Sequence, residues 1–258
     1  MDDLFYQLPD ELKKASEQEI ERANEYMDLG KLKEDFRGEK RLPVEFILDT
    51  SGSMRNNGKI DALNNGINHF IEKLRSEFKT KVTVDVGIIT MGGISPQVVA
   101  PLETIDHFNL NQIYEANGYT LVGEALRMAV SEITSRKIFY YSNNIEYYRP
   151  LIILLSDGYP SDHQGHPIQD PEIIQEYVDF VKEKTDAKSA IFYTFYIGED
   201  SGARETMKKL ASTWENTTYA YALKDDSEKI EQLFVFLSNS INTGMAQATR
   251  QIDIIDLR

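Results

Sequence analysis

Two short apolar runs, Leu42-Pro-Val-Glu-Phe-Ile-Leu48 and residues 151–155, each stop abruptly at a polar turn. Runs of this buried type suit strands covered on both faces, which occur chiefly in parallel sheets. Amphipathic segments alternate with them. Over residues 59–78, Ile60, Leu63, Ile67, Phe70, Ile71 and Leu74 fall on one side at helical spacing. Further helices are expected over 121–133, 172–184, 205–210 and 227–241, and further strands over 82–90, 97–101, 190–197 and 218–222. The fold class that follows is α/β: a doubly wound, mostly parallel sheet with helices on both faces.

Residues 9–29 read as an additional exposed helix with a thin apolar stripe of Leu12, Ile20, Ala23 and Met27, and Gly30 and Gly38 bracket a charged linker. The expected organisation is a helical arm and linker over residues 1–40, one main domain over 41–245 and a tail over 246–258. No apolar stretch approaches the roughly 20 residues that a membrane-spanning helix requires, and the start of the chain is acidic rather than basic and greasy. A soluble, cytoplasmic protein is expected, and the absence of cysteine fits a reducing compartment. The formal net charge of −14 argues against nucleic acid and for a cation or a basic protein surface.

Doubly wound sheets bind ligands at the carboxyl ends of their strands. There the sequence places two polar turns, Asp49-Thr50-Ser51-Gly52-Ser53-Met54 and Ser156-Asp157-Gly158-Tyr159-Pro160. A third polar segment, Asn117-Gly118-Tyr119-Thr120, leads into a helix, and all three are expected to converge on one crevice. Their carboxylates and hydroxyls, with no imidazole or thiol, form a hard oxygen set suited to Mg²⁺, Mn²⁺ or Ca²⁺ and poor for Zn²⁺ or Cu²⁺. Mg²⁺ prefers six ligands at about 2.0–2.1 Å, so a set this small leaves positions to water or to a partner's carboxylate.

The Asp-x-Ser-x-Ser loop after an apolar strand resembles the metal-ion-dependent adhesion site of von Willebrand factor A domains. Thr120 followed by Gly123-Glu124-Ala125-Leu126, and the Ser156-Asp157-Gly158 turn, are similar to that family's other two segments in order and spacing. The resemblance spans about residues 41–245 and implies metal ligation by Asp49, Ser51, Ser53, Thr120 and Asp157, with the aspartates able to act through water. It implies a protein-binding role rather than an enzyme, with Mg²⁺ as the ion and a partner's Asp or Glu completing its shell. Tyr119 stands where the family usually has glycine. Arg41-Leu-Pro-Val, Tyr148-Arg-Pro-Leu and the turn from Asp157 to Asp162 further resemble the bacterial TerY/YegL group of tellurite-resistance and stress operons. That group implies operon-encoded partners such as a Ser/Thr kinase or a PP2C-type phosphatase. Similar domains also serve as adaptors for AAA+ machines, and the final helix of related adhesion domains shifts when the ion gains a ligand.

Competing readings use the same residues. Ser51 or Thr120 could cap the helices that follow them. An aspartate after an apolar strand also fits haloacid-dehalogenase-like phosphatases, but Ser51 occupies the position of their second acid and cannot supply its proton. His163 and His166 sit in a loop on no fixed face and are excluded from the site. The tyrosine-rich residues 138–148 are expected in a loop opposite the metal, either as a binding patch or folded back on the domain.

Overall fold

The computed structural model describes residues 40–77, 82–108, 114–214, 217–223 and 227–247. The expected helical arm, its linker and the tail beyond residue 247 lie outside the described residues. The main sheet contains β1 (Lys40–Leu48), β2 (Val82–Thr90), β3 (Gln97–Thr104), β4 (Leu151–Ser156), β5 (Ile191–Ile197) and β6 (Ala220–Leu223). Their spatial order among the described residues is β3-β2-β1-β4-β5-β6, and every pairing is parallel except that of β2 with β3. The two runs that stood out in the sequence, β1 and β4, are therefore neighbours at the centre, where both faces are covered and apolar residues are required.

Helices α1 (Lys59–Glu77) and α5 (Ser227–Gln247) cover one face. Phe46, Phe70 and Phe234 meet there with ring centroids 5.1, 5.9 and 6.3 Å apart. A Cβ on Gly66 would lie 2.3 Å from the Phe234 ring, so glycine lets α1 and α5 approach. Helices α2 (Val122–Ser142), α3 (Pro171–Asp186) and α4 (Ser201–Lys209) cover the other face, packing Leu126, Ala129, Val181 and Met207 against Ile47, Ile89 and Ile152.

The structure corrects the reading of residues 138–148. Helix α2 continues to Ser142, and Phe139, Tyr140 and Tyr147 are buried while Tyr141 is exposed. Helical periodicity fades after Ile133 because the next inward positions are charged. Arg136 reaches Asp85 Oδ2 through Nε at 2.8 Å and NH2 at 2.5 Å, and Tyr140 donates its hydroxyl to the same oxygen. Arg41 adds an ion pair of 3.5 Å to Asp85 Oδ1, and Lys137 donates to the Ser189 carbonyl at 2.5 Å. These cations can be buried because each meets an anion or a carbonyl.

Glu45, two residue pairs along the β1–β2 ladder from Asp85, lacks such a partner. Its side chain fills the notch left by Gly87, its register partner on β2, where a Cβ would lie 2.3 Å from Glu45 Oε2. The residue is fully buried, and neither carboxyl oxygen accepts or donates a hydrogen bond among the described residues. Burial, reinforced by nearby Glu132, holds its carboxyl well above the usual carboxylate range. The folded state thus keeps a proton that the unfolded chain releases above about pH 4.3, and stability falls by up to about 1.4 kcal/mol per pH unit from there up to the folded pKa. Glu45→Gln removes this penalty. Its melting temperature is expected to exceed wild type at pH 8, with the gap shrinking toward pH 5; parallel melting curves at both pH values would contradict this.

Candidate metal centre

The carboxyl ends of β1 and β4 are joined directly. The Asp49 amide donates to the Leu155 carbonyl at 3.0 Å, and the Ser156 hydroxyl donates to Asp49 Oδ2 at 2.6 Å. Asp49 Oδ1 accepts the Ser51 amide at 2.8 Å, an Asx-type turn that folds the loop back over the strand end. Asp49 is fully buried beneath this loop. Burial and the nearby Asp157 charge raise its carboxyl to about 6, against the opposing pull of its hydrogen bonds from Ser156 and Ser51.

Above this floor, Ser51 Oγ lies 3.0 Å from Ser53 Oγ, and Ser53 Oγ donates to Asp157 Oδ1 at 2.6 Å. Asp157 Oδ2 is paired with the Lys59 ammonium at 2.6 Å. Asp49, Ser51, Ser53 and Asp157 therefore meet in one chain of contacts, and Ser156 and Lys59 join them. In the sequence Ser156 reads only as part of the polar turn, not as a partner of Asp49, and Lys59 only as the first residue of an ordinary helix.

Thr120 arrives by backbone contacts. The second segment is laced to the first by hydrogen bonds from Gly52 N to Gly118 O at 3.2 Å and from Asn117 N to Thr50 O at 2.8 Å. Arg55 clamps the same junction, donating to the Ala116 carbonyl at 2.6 Å. Thr120 is buried, with its amide donating to Ser161 Oγ and its carbonyl accepting the Ser161 amide, both at 2.8 Å. No hydrogen bond joins the Thr120 hydroxyl to the carboxylates among the described residues. The Tyr119 ring turns onto Gly165 of the third loop, within 2.8 Å of where a Cβ would stand, so its bulk is absorbed by that loop.

The capping alternative is not what these residues do. Ser51 precedes a short 3₁₀ turn over Gly52–Gly58 but makes no side-chain cap, and α2 begins after Leu121, also without one. His163 pairs with Glu124 at 2.6 Å and His166 with Asp162 at 3.2 Å, and neither hydrogen-bonds a residue of the centre. Among the described residues no three His, Cys, Asp or Glu side chains form a metal-binding group, so a cation here would depend on the hydroxyls.

The donors fit a small hard cation. Ser51 Oγ and Ser53 Oγ are hydrogen-bonded to each other at 3.0 Å, a separation that two adjacent ligands of an octahedral ion with bonds of about 2.1 Å would share without rearrangement. Every donor is oxygen, and the floor carboxylate is held by neighbours rather than left to swing.

Residues 44–160 match the family model of the von Willebrand factor type A domain. No curated protein sequence matches the chain. Among solved structures, the pilus adhesin SpaC from Lactobacillus rhamnosus GG is similar at TM-score 0.61 and 15% identity, over 81% of this chain and 31% of that one. The vWF domain of the type V pili tip protein Mfa5 from Porphyromonas gingivalis is similar at TM-score 0.54 and 14% identity, over 80% of this chain and 97% of that one. Proximal thread matrix protein 1 from the mussel byssus, solved with a zinc-occupied MIDAS motif, gives TM-score 0.51 and 14% identity, over 80% of this chain and 47% of that one. The chain thus spans less than half the length of the adhesin and of the thread protein. At these identities the likeness is one of fold, and it agrees with the α/β architecture above.

Gly118 gives a local test of the crevice. It is left-handed at φ +70, and a Cβ would lie 2.1 Å from the Gly93 carbonyl oxygen. Gly118→Ala is expected to cost about 1–3 kcal/mol in denaturant unfolding; an unchanged midpoint would show that the two loops are not locked as described.

Proposed function

We propose that this von Willebrand factor A-like domain is a divalent-cation-dependent protein-binding module, in which an Asp or Glu of a partner completes the shell of the ion. The observation that carries it is the convergence of the Ser51 and Ser53 hydroxyls with the Asp157 carboxylate over buried Asp49. Ser51, Ser53 and Thr120 would supply neutral oxygens, with Asp49 and Asp157 holding the ion directly or through water. The bound ion supplies Lewis acidity toward an incoming carboxylate. Mg²⁺ is the ion we assign, since a hard all-oxygen set favours it over Zn²⁺, with Mn²⁺ or Ca²⁺ as substitutes. Zinc in the mussel protein's motif belongs to that protein.

No hydrolytic role is assigned, because Ser51 replaces the second acid that a phosphatase of this topology would need. Through its resemblance to the TerY/YegL group we place the protein in bacterial stress or phosphosignalling complexes, with an operon-encoded Ser/Thr kinase or PP2C-type phosphatase as the partner class. Calorimetric titration with Mg²⁺ tests the centre. Wild type is expected to give a saturable isotherm and Asp49→Ala none, and equal heats in both would overturn the assignment. A pull-down of those two partner proteins, with and without EDTA, tests whether the ion serves recognition.

A further inference from the structure

Lys59 is 5% exposed, an unusual fate for a lysine unless its charge is matched. It opens α1 after Asn57 and Gly58, both left-handed at φ 55 and 68, so a tight reversal brings its side chain back to the crevice. There its ammonium sits 2.6 Å from Asp157 Oδ2, while Asp157 Oδ1 takes the Ser53 hydroxyl. One carboxylate is thereby divided between a fixed internal cation and the proposed metal side.

We propose that Lys59 sets the charge of the metal centre, lowering its affinity for the ion and raising the affinity of the ion-loaded centre for a partner's carboxylate. The inference rests on the metal reading above. Two aspartates against one lysine leave the ligand set with a single negative charge, so a bound dication makes the loaded centre positive. Without Lys59 the same loaded centre would be neutral. A positive, partly buried centre attracts an acidic group more strongly than a neutral one, while the same lysine repels the ion. A residue that merely braced the loop would shift both affinities the same way; a charge-setting residue shifts them in opposite directions.

The test measures Mn²⁺ binding to the full chain by the EPR signal of free Mn²⁺. Acetate binding to the Mn²⁺-loaded protein is followed by loss of water-proton relaxivity. Lys59→Met is expected to bind Mn²⁺ about tenfold more tightly, the size of one like charge about 6 Å from a dication in a water-like dielectric. Its acetate affinity is expected to fall several-fold, with Lys59→Arg close to wild type in both. Lys59→Gln, equally neutral, replaces the methionine variant if that one does not fold. Unchanged or weaker Mn²⁺ binding by a folded neutral variant overturns the role of Lys59. Absence of Mn²⁺ binding by wild type overturns the metal centre itself.

Discussion

The hydrogen bond from Ser156 to the Asp49 carboxylate fastens the ends of the two central strands, and the rest of the crevice is arranged on it. With the Ser51 amide on its other oxygen, Asp49 is fixed from both sides before any ion is considered. That restraint lets a carboxylate be buried at a strand end, where it would otherwise swing toward water or take up a proton. The loop above it then has little choice of path: Gly52 is tied to Gly118, Thr50 to Asn117, and the Ser51 hydroxyl to that of Ser53, which in turn meets Asp157.

The α2 side of the sheet carries a second population of buried charge with a different logic. Asp85 is matched by Arg41, Arg136 and Tyr140 and so serves as packing, whereas Glu45 is a buried acid in the space left by Gly87 whose proton burial retains. The candidate metal centre lies between these extremes. Its carboxylates are partly satisfied by hydroxyls and by Lys59, leaving oxygens that can still be shared with a cation. Satisfied networks hold the fold, and incomplete ones leave room for ligands.

Much of this was legible in the sequence. The central pair β1 and β4 announced themselves as apolar runs, and Asp49, Ser51, Ser53 and Asp157 could be named from the polar turns that end them and from a family resemblance. The α2 extension was hidden because periodicity counts Arg136 and Lys137 as solvent-facing, and only their partners Asp85 and the Ser189 carbonyl, far away in the chain, make them interior. Lys59 was hidden for a similar reason. A lysine at the first position of a helix reads as surface until a left-handed turn folds it onto an aspartate about a hundred residues later.

On the reading proposed above, one hard cation is held by the three converging loops. A crystal of the protein soaked in Mn²⁺ and measured for anomalous scattering tests it most directly. A single strong peak is expected within bonding distance of Ser51 Oγ and Ser53 Oγ, beside Asp157 and close to Thr120. A peak elsewhere, or none at saturating Mn²⁺, would contradict it.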